Sequence, residues 1–365
     1  MDERVKTVGA GEPITRRRFL RTAALAGAGL AAWALGACAS EEQAASPTPQ
    51  AGTTPGAAGI DLAELEQAAK REGVVNVYSS ASTDLITSLN QAFERKYGIR
   101  TNLQRAASGP LTQRFAAEAE SGNVVADVLQ TSDVVFYDDA IAKGWIAKVE
   151  GLPALQSWPQ QYWNGYYALS TIGIVTIGYN TNKVRRGEVT GWQDVINPKW
   201  RGQILFVDPR NVAVWVAVLY LLDKTYGDDF LRALGRQDLR LVESAVPAAQ
   251  QLAAGEAALS FPGAHWDKVQ LKQSGAPVDD VVPNPTTGIE QLMGITAKAP
   301  HPNAAKLFLN FMLSQEGQQA LVQAHGVSVL PNIPGAQPLP QGYVRPEVKE
   351  AMQQRDRLIG LLGLR

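Results

Sequence analysis

The sequence is poor in the residues that most often carry chemistry. It has one cysteine in 365 residues, Cys38, so no disulfide can form within the chain. Its three histidines, at 265, 301 and 325, show no metal-ligand spacing. There is no Gly-x-Ser-x-Gly nucleophile turn, no metal motif, and no Gly-x-x-x-x-Gly-Lys-Ser/Thr loop to cradle a nucleotide. Basic blocks with interleaved aromatics are missing too, and 34 Lys and Arg nearly balance 35 Asp and Glu. Nucleic acid is excluded as a partner on that pattern. No apolar run reaches the roughly 20 residues that a membrane-spanning helix needs. The run from Thr22 to Ala37 has 16.

What stands around that run is a targeting pattern. Thr15-Arg16-Arg17-Arg18-Phe19-Leu20-Arg21 reads as a twin-arginine export signal, with Arg16 and Arg17 as its pair. The run ends in Leu35-Gly36-Ala37-Cys38, where small residues precede a cysteine as a lipoprotein signal peptidase requires. Cys38 is therefore expected to carry lipid, and two or more acyl chains hold a protein stably on a membrane. A tether of Ser, Pro, Thr, Gly, Ala and Gln follows to Gly59, with no large apolar residue to bury. Residues 1–37 hold six basic and three acidic side chains; without them 28 Lys and Arg face 32 Asp and Glu, net −4.

The body from Ile60 onward repeats one unit three times: short strand, polar loop, helix. Val74–Tyr78 is a strand, and Leu85, Leu89 and Phe93 mark the helix after it, closed by Gly98. Ile99–Leu103 precedes a helix from Pro110. Val124–Leu129 precedes a helix closed by Gly144. This is the pattern of a parallel sheet covered by helices, in which ligands sit beyond the carboxyl ends of the strands. The loops at those ends carry Ser79 and Ser80, Ser108 and Gly109, and Thr131 and Ser132. Each leads into a helix N-terminus whose free N–H groups favour an anion. Ordinary N-capping is the alternative for any single serine. Further on, Ile172–Tyr179 and Ile204–Val207 are strands, and Thr190–Gln193 is a capping box. A helix through Leu222 starts behind Asp208-Pro209-Arg210-Asn211. Arg210, with Asn211 beside it, can clamp a carboxylate or phosphonate, or lie solvated in its loop. His265 and Trp266 follow the strand Ala257–Phe261, and Trp266 closes over a ligand or fills a core. Leu307, Phe308, Phe311 and Met312 form the stripe of a helix that begins at Pro302.

Six ordered segments resemble the extracellular solute-binding proteins of ABC importers, of the kind that binds ferric iron or 2-aminoethylphosphonate. They are Val77-Tyr78-Ser79-Ser80, Ala126-Asp127-Val128, Gly178-Tyr179-Asn180-Thr181, Trp192 to Gly202, Ala254-Gly255-Glu256, and His301 to Gln318. The resemblance implies a type II periplasmic-binding-protein-like α/β fold, two-lobed, with the lobes joined by two crossing strands. Lobe 1 would hold residues 60–179 and 290–335 and lobe 2 residues 180–289, with 336–365 packing on lobe 2. The crossings are expected near Gly178–Asn180 and Thr286–Leu292.

It also implies a non-enzymatic monomer, exported and held by lipid on the outer face of the cytoplasmic membrane. Such a protein takes a small-molecule solute and passes it to a permease with a cytoplasmic ATPase, with no cofactor of its own. Iron-binding members use two tyrosines, a His and a Glu; here Ser82, Ser132 and His265-Trp266 fall at those places. A small oxyanion is thus expected, with organophosphonates first. Iron(III), a polyamine, thiamine or a sugar stand as alternatives, and a secreted hydrolase behind them.

Overall fold

The computed structural model of the chain describes residues 59–364. Arg16 and Arg17, Cys38, and the tether apart from Gly59 lie outside the described residues.

Helix α1 (Leu62–Glu72) begins where Asp61 Oδ1 accepts from the N–H groups of Ala63 (2.8 Å) and Glu64 (3.1 Å). It stops at Gly73, whose φ of 73° is a left-handed conformation that costs other residues more. Then come β1 (Val74–Ser79), α2 (Thr83–Tyr97), β2 (Arg100–Arg105), α3 (Ser108–Ser121), β3 (Val128–Thr131) and α4 (Val134–Ala142). β3 starts four residues later than the hydrophobic run suggests. Asp127, fully buried just before it, accepts from the N–H of Asn76 (2.7 Å), the N–H of His301 (2.6 Å) and His301 Nδ1 (2.9 Å). Its backbone also bonds on both sides, the N–H to Asn76 O (2.9 Å) and the carbonyl to Thr296 N–H (3.0 Å), so these contacts anchor the start of β3.

The long strand β4 (Tyr167–Asn180) leads to β5 (Ile204–Val207), α5 (Ala213–Tyr226), α6 (Asp228–Gly235), β6 (Arg240–Val242), α7 (Ala245–Ala253) and β7 (Leu259–Ala264). The chain ends with α8 (Trp266–Gln273), β8 (Val278–Val281), β9 (Gly288–Ile295), α9 (Pro302–Leu313), α10 (Gln315–Gln323), α11 (Val348–Gln353) and α12 (Arg355–Leu361). The capping reading at Thr190–Gln193 needs correction. Asp194, not Gln193, accepts from Thr190 N–H (2.7 Å), Thr190 Oγ1 (3.0 Å) and Gly191 N–H (3.1 Å), and it opens a short 3-10 turn.

The strands run in the order β2-β1-β3-β9-β4-β7-β5-β6, with β8 also on β4. β1 pairs in parallel with β2 and β3, and β5 with β6 and β7. These are the two parallel cores of a two-lobed α/β fold. β4 connects them: it pairs with β9 as far as Ile174, then with β7 from Val175. The exchange comes four residues before the expected Gly178. Beside it the chain returns to lobe 1 through Thr286 and Thr287. Val175 N–H donates to Thr287 O (2.9 Å), and Thr286 Oγ1 donates to Val175 O (2.8 Å).

Helical periodicity is realised as packing. Leu85, Leu89 and Phe93 of α2 are fully buried, as are Leu307, Phe308 and Met312 of α9, with Phe311 nearly so. Phe93 meets Phe308 edge-on at 5.0 Å between centroids and Phe311 at 5.8 Å. α11 packs on α5 and also touches α4, while α12 packs on α5 and α6. Lys349 of α11 pairs with Asp138 of α4 at 2.5 Å.

Candidate binding cleft

The carboxyl ends of β1, β2 and β3 point at the starts of α2, α3 and α4. The starts of α5, α7 and α8 face them from the other lobe. Between the two sets lies a cavity of about 60 Å³. Ser80, Ser82, Arg105, Ser108 and Ser132 line it from lobe 1, Ser244, Trp266 and Asp267 from lobe 2, and Gln291 from β9.

The hydroxyls are arranged in pairs. Ser108 and Ser132 share a hydrogen bond of 3.1 Å, and Ser80 Oγ donates to Gln291 Oε1 at 3.3 Å. Ser82 Oγ is buried with no partner. A buried hydroxyl left that way costs about 1–3 kcal/mol, so an acceptor entering the cleft is favoured there. Arg105, at the end of β2, is steadied by its Nε donating to Ala81 O at 3.2 Å. Asp267 accepts from the Ala264 N–H at 2.8 Å. Burial pushes its carboxyl above the usual range, against the pull of neighbouring Lys268. Helix N-termini and the Arg105 guanidinium, which favour an anion, face this volume together with the Asp267 carboxyl.

Several of the expected residues stand away from this cavity. Ser79 is fully buried and turned inward; its Oγ donates to Gln130 Oε1 (2.6 Å) and accepts from Ala81 N–H (3.1 Å). Thr131 is likewise buried, accepting from Asp133 N–H at 3.3 Å. Neither lines the cavity, and nor do Arg210, Asn211 or His265. Arg210 is folded back on Asp208, two residues earlier, with contacts of 2.7–3.1 Å to both carboxylate oxygens. Burial would raise the Asp208 carboxyl, but hydrogen bonds from Arg210 outweigh it and hold the group below its usual range. His265 Nδ1 sits 2.9 Å from Asp280. Asn211 Nδ2 donates to Glu243 O at 3.4 Å. The Asn211 carbonyl oxygen lies so near Gly109 that a Cβ there would stand 3.2 Å from it. The lobes therefore touch at Gly109.

Trp266 does two things. It lines the cleft, and its ring lies on Gly173 of β4, where any Cβ would come within 2.2 Å. Arg105, Ser244, Asp267 and Gln291 also line the cavity although the sequence did not single them out, and Ser82 lines it at a place that the resemblance marked. The signal for Arg105 was available: it immediately precedes the Ala106–Gly109 loop.

A family model described as bacterial extracellular solute-binding protein matches residues 75–327, which takes in every lobe 1 wall residue just named and all of lobe 2's. The chain belongs to that family. It is a solute-binding protein of the ABC-importer class. An uncharacterised protein of Haemophilus influenzae is 28% identical over 284 residues, 72% of this chain and 80% of that one. Among solved structures, AfuA of Actinobacillus pleuropneumoniae with fructose-6-phosphate bound superposes with a TM-score of 0.66 at 24% identity, over 79% of this chain and 97% of AfuA. Iron-bound HitA of Pseudomonas aeruginosa superposes with a TM-score of 0.63 at 20% identity, over 78% and 99%. At these identities the structures establish the type II periplasmic binding fold.

In this solute-binding protein, three of the positions where the resemblance puts iron ligands do reach the cleft. They carry the hydroxyls of Ser82 and Ser132 and the indole of Trp266. These are not the hard anionic oxygens that suit Fe(III). Among the described residues no group of three or more His, Cys, Asp and Glu is placed to hold a metal ion.

Proposed function

We propose that this solute-binding protein captures a small oxyanion in the cleft between its lobes and hands it unchanged to the permease of an ABC importer. Organophosphonates come first, then other phosphate- or carboxylate-bearing metabolites. One observation carries the reading: the guanidinium of Arg105 and the hydroxyls of Ser80, Ser82, Ser108 and Ser132 share one cavity at helix N-termini. Hydroxyls and N–H groups donate to phosphoryl oxygens, and an arginine fork matches two of them at once. Arg105 takes the role that the sequence suggested for Arg210. AfuA, which holds a phosphate ester, supports the same class.

Two lobes on two crossing strands close on the solute like a hinge. The protein works outside the cytoplasmic membrane, exported through Arg16-Arg17 and anchored by lipid at Cys38. Cys38→Ala abolishes labelling with radioactive palmitate; persistent label would remove the anchor.

A thermal-shift screen over phosphonates, phosphate esters, polyamines and sugars tests the ligand class. A ligand at 100 times its Kd adds about 2.7 kcal/mol of stability. Shifts with polyamines or sugars but with no anion would sink the oxyanion reading.

A further inference from the structure

We infer that the cleft holds only the anionic head of the ligand, and that a hydroxylated, sugar-like remainder lies in a second cavity roofed by the C-terminal segment. This rests on the oxyanion reading and extends it.

Size is the first observation. The cleft measures about 60 Å³, and the cavity beside it about 410 Å³. Small-molecule sites usually run to about 300–1,000 Å³. The cleft alone takes a tetrahedral oxyanion group and little else, whereas the second cavity has the room of a ligand site. Position is the second. Ser132 and Val214 stand in the walls of both cavities, so the two spaces meet at the residue that helps to hold the anion.

The chemistry of the walls selects the remainder. Tyr162, Trp163 and Tyr167 supply aromatic surface, and Gln161, Asn164 and Glu350 supply amide and carboxylate groups. Aromatic faces pack on the C–H surface of a sugar ring, while amides and carboxylates pair with its hydroxyls. Gln161, Asn164 and Glu350 stand at the exposed rim, where a hydroxylated remainder finds partners that an apolar one would not use.

The roof is built rather than incidental. Arg345 Nε and Nη2 donate to the two oxygens of Glu290 on β9, at 2.8 and 2.6 Å, and Tyr343 Oη adds a third bond to Glu290 at 3.1 Å. The Arg345 guanidinium also lies over the Tyr162 ring, 5.5 Å from its centroid. Lys349 ties the same segment to Asp138 of α4. Residues 345–350 lie beyond the part of the chain that the family model matches, which ends at 327. The roof is thus contributed by a segment beyond the matched family region, while the aromatic wall and the floor lie within it.

Calorimetric titration of the purified full chain tests the inference. The probes are inorganic phosphate, glucose-6-phosphate, mannose-6-phosphate, ribose-5-phosphate, phenyl phosphate and free glucose. At least one sugar phosphate is expected to bind at least tenfold more tightly than phosphate. In Trp163→Ala the ratio of sugar-phosphate to phosphate affinity falls at least tenfold. Gln161→Trp, at an exposed rim position, blocks the cavity without touching the core and lowers the same ratio. It keeps the test valid if Trp163→Ala melts early. Phosphate binding with no gain from any sugar overturns this inference alone. So does a gain only with phenyl phosphate. Silence from every probe overturns this inference, and the phosphonates of the thermal-shift screen then decide the oxyanion reading separately. Free glucose binding without phosphate binding, lost in Gln161→Trp, would overturn the oxyanion reading and keep the cavity.

Discussion

Replacing Arg105 by glutamine removes the one cation that, among the described residues, stands in the lobe 1 wall of the cleft, and keeps a side chain of similar length. A hydrogen bond to a charged group contributes about 1.5–3 kcal/mol. At about 1.4 kcal/mol per tenfold in affinity, losing one such contact weakens an anion by roughly 10- to 150-fold. The upper part of that range applies where the fork binds two oxygens, the lower where solvent reaches it, since Arg105 is only half-buried. Arg210→Gln is the paired control. Arg210 already spends its fork on Asp208, whose two oxygens it meets at 2.7–3.1 Å, so its loss changes affinity by less than threefold. The assay is calorimetric titration of both variants with the best anion from the thermal-shift screen, at low and at physiological salt. Arg105→Gln also flattens the salt dependence, because part of the attraction is long-range. An unchanged Kd in Arg105→Gln, or a larger loss in Arg210→Gln, would refute the assignment of the clamp.

Three further outcomes follow from the packing. Phe308→Ala, at a fully buried ring against Phe93, lowers the unfolding free energy in urea by about 3–5 kcal/mol; less than about 1 kcal/mol would mean that α9 is not part of the core. Gly173→Ala forces a Cβ to within 2.2 Å of the Trp266 ring and costs about 1–3 kcal/mol, with a shift in tryptophan fluorescence as the ring moves into the cleft; an unshifted spectrum counts against that contact. Burial raises the Asp280 carboxyl, but the His265 hydrogen bond and the Lys268 charge outweigh it and hold the group below its usual range. The folded protein therefore binds that proton more weakly than the unfolded chain. The stability involved is present above the unfolded value of about 3.9 and lost as pH falls through the lower folded value. The gap between wild type and Asp280→Asn in urea narrows from pH 7 to pH 3, and a gap independent of pH would contradict the pairing.

Local periodicity carried most of the fold. Leu85, Leu89 and Phe93 repeat every four residues and are buried together, and the Leu307-Phe308-Phe311-Met312 stripe meets them, because side chains three or four apart share one face of a helix. Three strand–loop–helix repeats placed the candidate site at one edge of a parallel sheet, and Ser80, Ser108 and Ser132 stand there. These inferences need only spacing along the chain. The direction of each side chain at a strand end was not legible in that way. Neighbours in an extended chain point opposite ways, so Ser79 and Thr131 turn inward while Ser80 and Ser132 face the cleft.

Which cation stands on the cavity wall was legible only from distances across the fold. Arg210 found Asp208 within its own loop, and Arg105, at a strand end in the other lobe, stayed on the cavity wall. The C-terminal segment carried least signal of all. Residues 336–347 show no period that names a partner, and their place comes from Arg345 meeting Glu290 some 55 positions away. Sequence spacing determines which residues share a face of one element. Only the tertiary structure decides which faces meet, because those contacts join residues far apart in the chain.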